Sequence, residues 1–365
     1  MRNTNEPRRT IIVDVVDPQT DRRQAERSLD ELRSLISTLG DISVVSVVQK
    51  RSKPSGVTYV GTGKAQEILN LAKELKVDQI IFNAILSPLQ IKHLLDIFPT
   101  GFEVMDRVEL ILKIFRKHAQ SDESRLQIEL AETKYLLPRL RDKSGVMSRL
   151  GGGIGTRGPG EQEKEFEKRM LKKKIADIKE RLELAQKTHN AQRDSRKKSG
   201  KAMVAIVGYT NAGKSTLFQV LTKKETLIAN KLFATLDTRI ARCWLPSASQ
   251  EVLLSDTIGF ISDLPPFLID SFKTTLSEAR EADLLLHIID YADRDWRLKK
   301  KVVEDTLREI GVIGRETVNV YNKIDLVKRK APVGKNNIAI SAEQKTGLEE
   351  LKTLVADKLD LKPKW

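Results

Sequence analysis

The sequence has few of the residues that build disulfide bonds and histidine- or cysteine-based metal sites. Its 365 residues include one cysteine, Cys243, and four scattered histidines. A single cysteine excludes an intramolecular disulfide and a zinc site made of cysteines, and so few histidines argue against a histidine metal site. We therefore expect a protein that works in a reducing cytosol.

Long apolar segments are also missing. No apolar run approaches the roughly 20 residues that a membrane-spanning helix needs. The segment from Met1 to Pro7 is polar and leads directly into a strand-like run, so we expect no secretory signal. These features predict a cytoplasmic protein without stable membrane insertion, and they leave peripheral membrane association open.

Positive charge, in contrast, is abundant. The formal net charge is +14 and the sequence pI is near 9.6. Such an excess predicts a polyanionic partner, either nucleic acid or an acidic membrane surface. A basic protein without such a partner would show the same charge, so composition alone does not decide.

The pattern of apolar residues divides the chain into three parts. From 1 to 119, strand-like and helix-like segments alternate, which indicates a small α/β domain. From 120 to 196, two amphipathic segments with narrow apolar seams predict a helical hairpin arm, and an exposed basic linker, 190–201, overlaps its end. From 197 to 365, we expect a nucleotide-binding domain with a mostly parallel sheet flanked by helices.

A glycine-rich loop, residues 149–161, lies between the two amphipathic segments. So many glycines cannot serve packing, and they leave backbone amides and two arginines available to phosphate groups. A flexible linker is the alternative, but we favour a loop that orders on a phosphate-rich surface. The candidate RNA contacts are Arg149, Gly151, Gly152, Gly153, Arg157 and Gly158.

A shorter glycine turn occurs in the N-terminal part. It reads Gly61-Thr62-Gly63-Lys64 and resembles a fragment of a phosphate loop. Because the spacing is too short, we favour a tight turn between a strand and a helix. A nucleotide site at this turn is the less favoured alternative.

A complete phosphate loop follows later, in the stretch from Gly208 to Ser215. It reads G-x-x-x-x-G-K-S, after an apolar strand-like run and before a helix-like one, which is the context that the motif requires. Glycines let backbone N–H groups surround phosphate oxygens, and the helix N-terminus adds a favourable dipole. Lys214 would reach the β- and γ-phosphates, and the Ser215 hydroxyl would bind Mg²⁺.

Guanine specificity is predicted by the stretch Asn322-Lys323-Ile324-Asp325. The Asp325 carboxylate can accept two hydrogen bonds from guanine, whereas adenine offers no such pair of donors. Asn322 suits the O6/N7 edge of guanine, and the Lys323 stem can lie along the ring. A backbone N–H in Ser341-Ala342-Glu343 could contact O6, so the nucleotide is predicted to be GTP or GDP.

Two further segments carry the predicted metal and switch chemistry. Asp256 would hold Mg²⁺ through water, and the amide of Gly259 would sense the γ-phosphate. Thr235 lies between the phosphate loop and Asp256, where a switch threonine is needed, and is our second protein ligand for the metal. The alternatives are a capped turn for Asp256 and ordinary packing for Thr235. The residues expected to contact GTP are Gly208, Tyr209, Thr210, Asn211, Ala212, Gly213, Lys214, Ser215, Thr216, Phe233, Ala234, Thr235, Leu236, Asp237, Asp256, Thr257, Ile258, Gly259, Asn322, Lys323, Ile324, Asp325, Ser341, Ala342 and Glu343.

The residue after Gly259 is Phe260, where many regulatory GTPases place a water-orienting glutamine. A phenyl ring cannot hydrogen-bond water, so attack on the γ-phosphate must be assisted in another way. Asn211 could help to hold a monovalent cation, K⁺, near the phosphates. The predicted catalytic residues are therefore Lys214, Thr235 and Asn211.

Together these motifs resemble the HflX family of GTPases. The sequences G-Y-T-N-A-G-K-S, L-F-A-T-L-D, D-T-I-G-F-I and N-K-I-D are similar to that family, and G-G-G-I-G-T-R-G-P-G-E with Y-L-L-P-R-L is more specific for it. The resemblance implies a cytoplasmic GTPase that binds the large (50S) ribosomal subunit. It also implies ribosome splitting under stress or a role in subunit biogenesis, with the glycine loop near ribosomal RNA.

The same motifs are compatible with two other functions. The first is a GTP-dependent factor for RNA remodelling or subunit assembly, which would act on a maturing particle. The second is a membrane-peripheral signalling GTPase, although no amphipathic stretch pairs a basic face with bulky aromatic residues. In each case we expect a monomer.

Overall fold

The structure is a computed structural model of the chain. It describes residues 6–139, 159–198, 200–223, 232–233, 237, 239–257, 259–271, 278–312 and 314–362. The chain forms two compact units: residues 1–117 with 128–181, and residues 118–127 with 182–365. None of the helices in the described ranges is both long enough and apolar enough to cross a membrane.

The first unit is built on a four-stranded parallel sheet with the strand order β2-β1-β3-β4. The elements are β1 (Arg9–Val16), α1 (Arg22–Leu39), β2 (Ile42–Lys50), α2 (Thr62–Glu74), β3 (Gln79–Phe82), α3 (Pro88–Ile97), β4 (Glu103–Asp106) and α4 (Arg107–His118). The side chains of Ile80, Ile81 and Phe82 on β3 are all fully buried. A run of consecutive buried residues is typical of a parallel sheet that is covered on both faces. The predicted small α/β domain is confirmed.

The turn at Gly61 begins α2, as the favoured interpretation of that stretch requires. Gly61 is the N-cap residue, with a φ angle of 75°, a conformation that a residue with a Cβ rarely adopts. Lys64 forms an ion pair with Glu67 on the same helix. The stretch therefore begins a helix, but residues 51–60 before it form turns and one isolated bridge rather than the expected strand.

Helices α5 (Asp122–Leu136) and α6 (Pro159–Lys198) correspond to the predicted arm. The Lys174 ammonium on α6 lies 2.8 Å from the Glu129 carboxylate on α5. Each helix contributes residues to both compact units, so the bounds 120–196 for a separate arm remain a prediction.

The structure corrects two details of that region. Helix α6 begins at Pro159, inside the expected glycine loop, and continues to Lys198 through most of the expected linker. Residues 190–198 include one alanine, one glutamine, two arginines and two lysines, which are good helix formers. The next glycine is Gly200, so nothing in the composition ends the helix earlier.

The second unit contains a six-stranded sheet with the strand order β10-β9-β8-β5-β7-β6. Its elements are β5 (Met203–Gly208), α7 (Lys214–Thr222), β6 (Arg239–Leu245), β7 (Gln250–Asp256), α8 (Pro266–Ser271), β8 (Leu284–Asp290), α9 (Trp296–Glu309), β9 (Thr317–Asn322), β10 (Asn337–Ala339) and α10 (Leu348–Lys358). Only the edge strand β6 pairs in antiparallel fashion. The mostly parallel sheet of the prediction is confirmed.

This topology gathers the predicted motifs at one edge of the sheet. Strand β5 lies between β7 and β8, and β8 is paired with β9. The carboxyl ends of these four parallel strands carry Gly208, Asp256, Asp290 and Asn322. Ligands of open α/β sheets bind at that edge, so the fold positions a nucleotide site there.

Candidate nucleotide-binding site

The phosphate loop connects the end of β5 to the first turn of α7. Asn211 and Gly213 have positive φ angles of 60° and 93°, and such reversals let successive backbone N–H groups converge on an anion. A Cβ atom on Gly213 would lie 2.2 Å from Nδ2 of Asn322. Glycine is therefore required at this position by both the backbone conformation and the close neighbour.

The side chain of Lys214 is buried beneath the loop. Its Nζ atom donates a hydrogen bond to the carbonyl of Tyr209 at 2.8 Å. Burial lowers the pKa of Lys214 to about 8, against the opposing attraction of the Asp256 carboxylate. The loop thus holds a cation where a triphosphate would place its β- and γ-phosphates.

Two of the predicted metal ligands meet beside Lys214. The Ser215 hydroxyl donates to Oδ2 of Asp256 at 2.9 Å, which joins α7 to the end of β7. A hydroxyl and a carboxylate are hard oxygen donors, and Mg²⁺ commonly combines one or two such groups with water and phosphate oxygens. In the ranges that the structure describes, no cluster of three or more His, Cys, Asp or Glu side chains could hold a metal by itself. This donor set therefore suits a magnesium ion that is shared with a nucleotide.

Phe260 is fixed against the phosphate loop through its backbone. Its carbonyl accepts from the Thr210 N–H at 2.8 Å, and its N–H donates to the Gly208 carbonyl at 3.1 Å. The phenyl ring is buried, with 2% of the residue exposed. The position that could hold a water-orienting side chain is therefore filled by an apolar one.

Gly259 also lies in a crowded part of the site. A Cβ atom there would lie 2.8 Å from Nζ of Lys214 and 2.9 Å from Cγ2 of Thr210. Any larger residue would push against the cation of the phosphate loop. Tyr209 adds a second connection to this segment, because its hydroxyl accepts from the N–H of Ser262 at 2.8 Å.

The guanine motif is tied to the phosphate loop. Asn322 is buried, and its Nδ2 donates to the Ala212 carbonyl at 2.9 Å while its Oδ1 accepts from the Ala342 N–H at 3.0 Å. Lys323 donates to the Asn211 carbonyl at 2.8 Å and to Oδ2 of Asp290 at 2.7 Å. These two side chains therefore connect the guanine motif to the phosphate loop, to the end of β8 and to the loop after β10.

The other residues of the motif lie around this framework. Asp325 and Glu343 are exposed, whereas Ser341 is buried and accepts from the Gln344 N–H at 3.0 Å. Thr257 is buried and donates to the Ile206 carbonyl at 2.7 Å. The carboxylate of Asp325 is therefore accessible to a ligand, and its contact with guanine remains a prediction.

Asp237 has contacts that the sequence did not indicate. Its carboxylate accepts from the Gln120 N–H at 2.9 Å and from the Ser121 hydroxyl, directly before α5. Burial raises the pKa of Asp237, but the hydrogen bonds from Ser121, Ser124 and two backbone amides outweigh it, so the pKa lies below its ordinary value. These contacts do not include the nucleotide loop, and the role of Asp237 toward GTP remains a prediction.

Several predicted residues lie outside the described part of the chain. In the nucleotide site they are Ala234, Thr235, Leu236 and Ile258, and in the glycine loop they are Arg149, Gly151, Gly152, Gly153, Arg157 and Gly158. Phe233, beside the first group, is described and buried. The roles of the undescribed residues stay predictions.

Two contributors to the site were not identified from the sequence. Asp290 holds Lys323 through an ion pair, and Ser262 is bonded to Tyr209. Asp290 ends an apolar strand-like run, Leu284–Asp290. A carboxylate at the end of a buried parallel strand is a signal that would have placed it at this edge.

Comparison with known families covers most of the chain. Residues 26–116 match the family described as GTP-binding GTPase N-terminal, and residues 118–196 match the GTP-binding GTPase middle region. Residues 203–323 match the family described as 50S ribosome-binding GTPase.

Solved structures give the same fold. A GDP complex of SsGBP is 26% identical, covers 96% of this chain and 98% of its own, and superposes with a TM-score of 0.53. A GTP-binding protein of Sulfolobus solfataricus in complex with GDP is 24% identical, covers 96% of this chain and 99% of its own, and has a TM-score of 0.50. At 24% identity, the similarity to the Sulfolobus solfataricus protein supports the fold alone.

Curated relatives are more similar in sequence. GTPase HflX of Caldanaerobacter subterraneus subsp. tengcongensis is 46% identical over 94% of this chain and 78% of the relative. GTPase HflX of Escherichia coli is 38% identical over 91% of this chain and 79% of the relative. With its phosphate loop, its guanine motif and similarity to these proteins over 94% and 91% of its own length, the chain belongs to the HflX family of GTPases.

Proposed function

We propose that the protein binds the large (50S) ribosomal subunit in its GTP-bound state and uses hydrolysis to leave it, in ribosome splitting or recycling. The match of residues 203–323 to a 50S ribosome-binding GTPase family supports this. The net charge of +14 suits a partner rich in RNA phosphate. Since ribosomes work in the cytoplasm, the protein would act there, as a monomer.

The observation that carries the proposal is the position of Phe260. Its ring is buried and both of its backbone groups are bonded to the phosphate loop. A phenyl ring cannot orient the attacking water, a task that an amide side chain performs in other GTPases. Hydrolysis therefore needs help from outside this position, and a ribosome-dependent GTPase would receive it on its partner.

The reaction would be transfer of the γ-phosphoryl group to water. The water oxygen forms a bond to the γ-phosphorus, the bond to the β–γ bridging oxygen breaks, and GDP and inorganic phosphate leave. Lys214 and the loop amides would stabilise the negative charge on the β- and γ-phosphate oxygens. Ser215, Asp256 and Thr235 would hold Mg²⁺, which when bound neutralises charge on the phosphate oxygens.

Base recognition would be divided among the residues of the guanine motif. The exposed Asp325 carboxylate would accept the two hydrogen bonds from guanine. Asn322 and Lys323 would act by positioning, because their polar atoms bond to the carbonyls of Ala212 and Asn211. Loss of either side chain would loosen the loop that binds phosphate.

Asn211 is the candidate for potassium binding. Its side chain is exposed and its backbone is held by Lys323 in a positive-φ conformation. An amide oxygen at this place in the loop could bind K⁺ next to the phosphates, where a cation would stabilise charge that develops in the transition state.

The glycine loop would be the RNA-binding end of the arm. We propose that Arg149 and Arg157 contact ribosomal RNA phosphates and that Gly151, Gly152, Gly153 and Gly158 let the backbone approach closely. The corresponding organisation is a domain at 1–119, an arm at 120–196 and a GTP-binding domain at 197–365.

Sedimentation with ribosomes tests the proposal. The protein is centrifuged with intact ribosomes and with large subunits in GTP, GDP and a non-hydrolysable analogue. We expect co-sedimentation with large subunits in the analogue and a loss of intact ribosomes in GTP. The double variant Arg149→Gln/Arg157→Gln should bind weakly, whereas Arg22→Gln/Arg23→Gln, which removes the same charge from α1, should bind normally.

Other outcomes would reject it. Binding to immature particles only would favour an assembly factor, and flotation with anionic liposomes without ribosome binding would favour a membrane-peripheral GTPase. Equal binding in GTP and GDP would exclude the proposed coupling to the nucleotide.

A further inference from the structure

A buried aromatic cluster joins two surface segments of the second unit. The rings of Tyr291, Trp296 and Tyr321 lie with their centroids 5.5 Å apart in each pair. The Tyr291 hydroxyl donates to the Lys330 carbonyl at 2.8 Å. The start of α9 and the loop that follows the guanine motif therefore lie side by side over one rigid base.

Two arginines lie over this cluster. The guanidinium carbon of Arg297 is 4.6 Å from the centre of the Trp296 ring, and that of Arg329 is 4.5 Å from the centre of the Tyr291 ring. Arg329 also donates to the carbonyls of Tyr291 and Asp293. Stacking on an aromatic ring restricts a guanidinium before any partner binds, so these charges are preorganised.

The same two segments present further cations. We name the basic face as the exposed residues Arg294, Arg297, Lys301, Lys328, Arg329, Lys330 and Lys335. Within the described ranges, none of them forms an ion pair with a carboxylate. The neighbouring Asp293 and Glu304 are already paired, with Lys299 and Lys300. Asp305 is paired with Arg308, and Glu316 is paired with Lys358 while it also attracts Lys335, so the face keeps a clear excess of positive charge.

We propose that the basic face binds the phosphate backbone of RNA. The inference rests on the proposed ribosomal function and adds a contact that is separate from the glycine loop. Guanidinium groups match phosphate oxygens in geometry and charge, and the phosphate backbone of RNA supplies a dense negative charge that is complementary to the seven exposed cations. The partner is the RNA of the large subunit.

A protein partner is the competing possibility. Three aliphatic side chains of these segments are exposed: Leu298 by 50%, Leu326 by 65% and Val333 by 72%. Such side chains suit a protein surface. The positive charge of the face favours RNA, because protein interfaces are depleted of lysine whereas RNA phosphate contacts depend on lysine and arginine.

The test uses two triple variants of equal charge. Lys301→Gln/Lys328→Gln/Lys330→Gln removes three cations from the basic face without touching the stacked arginines. Lys50→Gln/Lys53→Gln/Lys73→Gln removes three exposed lysines from the first unit. Each protein is titrated against protein-free RNA extracted from large subunits and against intact large subunits, at several KCl concentrations, and the GDP affinity of each variant reports its folding.

Near 0.1 M salt, we expect the basic-face variant to bind RNA at least about tenfold more weakly than the wild type. Each lost phosphate contact reduces the number of counterions that binding releases from the RNA. The slope of the logarithm of the binding constant against the logarithm of the KCl concentration should become shallower by about 2 to 3. The control variant should stay within about twofold of the wild type. GDP affinity should be unchanged in both.

Three results would overturn the inference. Wild-type affinity and salt slope in the basic-face variant would show that the face does not touch RNA. An equal loss in the control would show that total charge is responsible. Loss of binding to subunits with full affinity for free RNA would identify a protein partner. If the wild type binds neither subunits nor RNA, the proposed function fails together with this inference.

Discussion

The side-chain amide of Asn322 donates to the carbonyl of Ala212 at a distance of 2.9 Å, across 110 residues of sequence. The other end of the same amide accepts the Ala342 N–H at 3.0 Å. One buried side chain thus connects the phosphate loop, the guanine motif and the loop after β10. Nucleotide affinity should depend on Asn322 even without direct contact with the base.

Replacing Asn322 with alanine should weaken GDP binding by about 100-fold. The change leaves the Ala212 carbonyl and the Ala342 N–H without their partner, and each lost buried hydrogen bond costs about 1–3 kcal/mol. Fluorescent GDP titration measures the effect. Asn319→Ala is the matched control, since Asn319 lies on the same strand and bonds to Asn337. Equal losses in both variants would mean that damage to β9, rather than the loop connection, explains the result.

Gly259→Ala should impair GTP binding more than GDP binding. The added Cβ would lie 2.8 Å from Nζ of Lys214, and overpacking of this kind costs about 1–3 kcal/mol. We expect roughly tenfold weaker binding of a GTP analogue. Gly63→Ala is the control, because its Cβ would meet no atom within 4 Å. Unchanged analogue affinity in Gly259→Ala would show that Lys214 moves aside without cost.

Nucleotide affinity should fall at alkaline pH. Burial lowers the pKa of Lys214 to about 8 in the free protein, and bound phosphates would favour the charged form and raise that pKa. Below pH 8 the ammonium is already protonated, so affinity should be nearly constant. Above pH 8 binding must take up a proton, and affinity should fall by up to about tenfold per pH unit. Calorimetry in buffers of different ionisation enthalpy would detect that proton, and no uptake at about pH 9 would contradict the prediction.

Hydrolysis should be faster in potassium than in sodium. If Asn211 holds the cation, Asn211→Ala should remove the difference between the two salts while leaving GDP affinity within about threefold, since its carbonyl still accepts from Lys323. Phosphate release in matched KCl and NaCl measures the hydrolysis rate in each salt. Equal rates in the two salts for the wild type would remove Asn211 from the list of catalytic groups.

The sequence indicated those parts of the site that depend on local pattern. Lys214 and Ser215 follow from the loop motif and its strand–helix context, and the structure places Asp256 beside Ser215. The parallel sheet followed from alternating apolar segments. The residues of each motif are close together in the chain, although the contact between Ser215 and Asp256 joins two motifs.

The remaining contacts depend on tertiary packing. The bond from Asn322 to Ala212 and that from Ser121 to Asp237 span more than one hundred residues, and no periodicity encodes such pairings. For Asn322 the motif suggested contact with the base, whereas its side-chain amide is bonded to two backbone groups of the protein. The charged composition of residues 190–201 favours a linker and so underestimates α6, which continues to Lys198 because no glycine precedes Gly200.

The most direct measurement of the central claim is GTP hydrolysis with and without purified large ribosomal subunits. Because Phe260 occupies the water-orienting position, we expect slow hydrolysis by the protein alone and at least about a tenfold rise in kcat with saturating large subunits. Small subunits at equal concentration serve as the control and should have little effect. A rate that large subunits leave unchanged, in a preparation that binds GDP normally, would contradict the account.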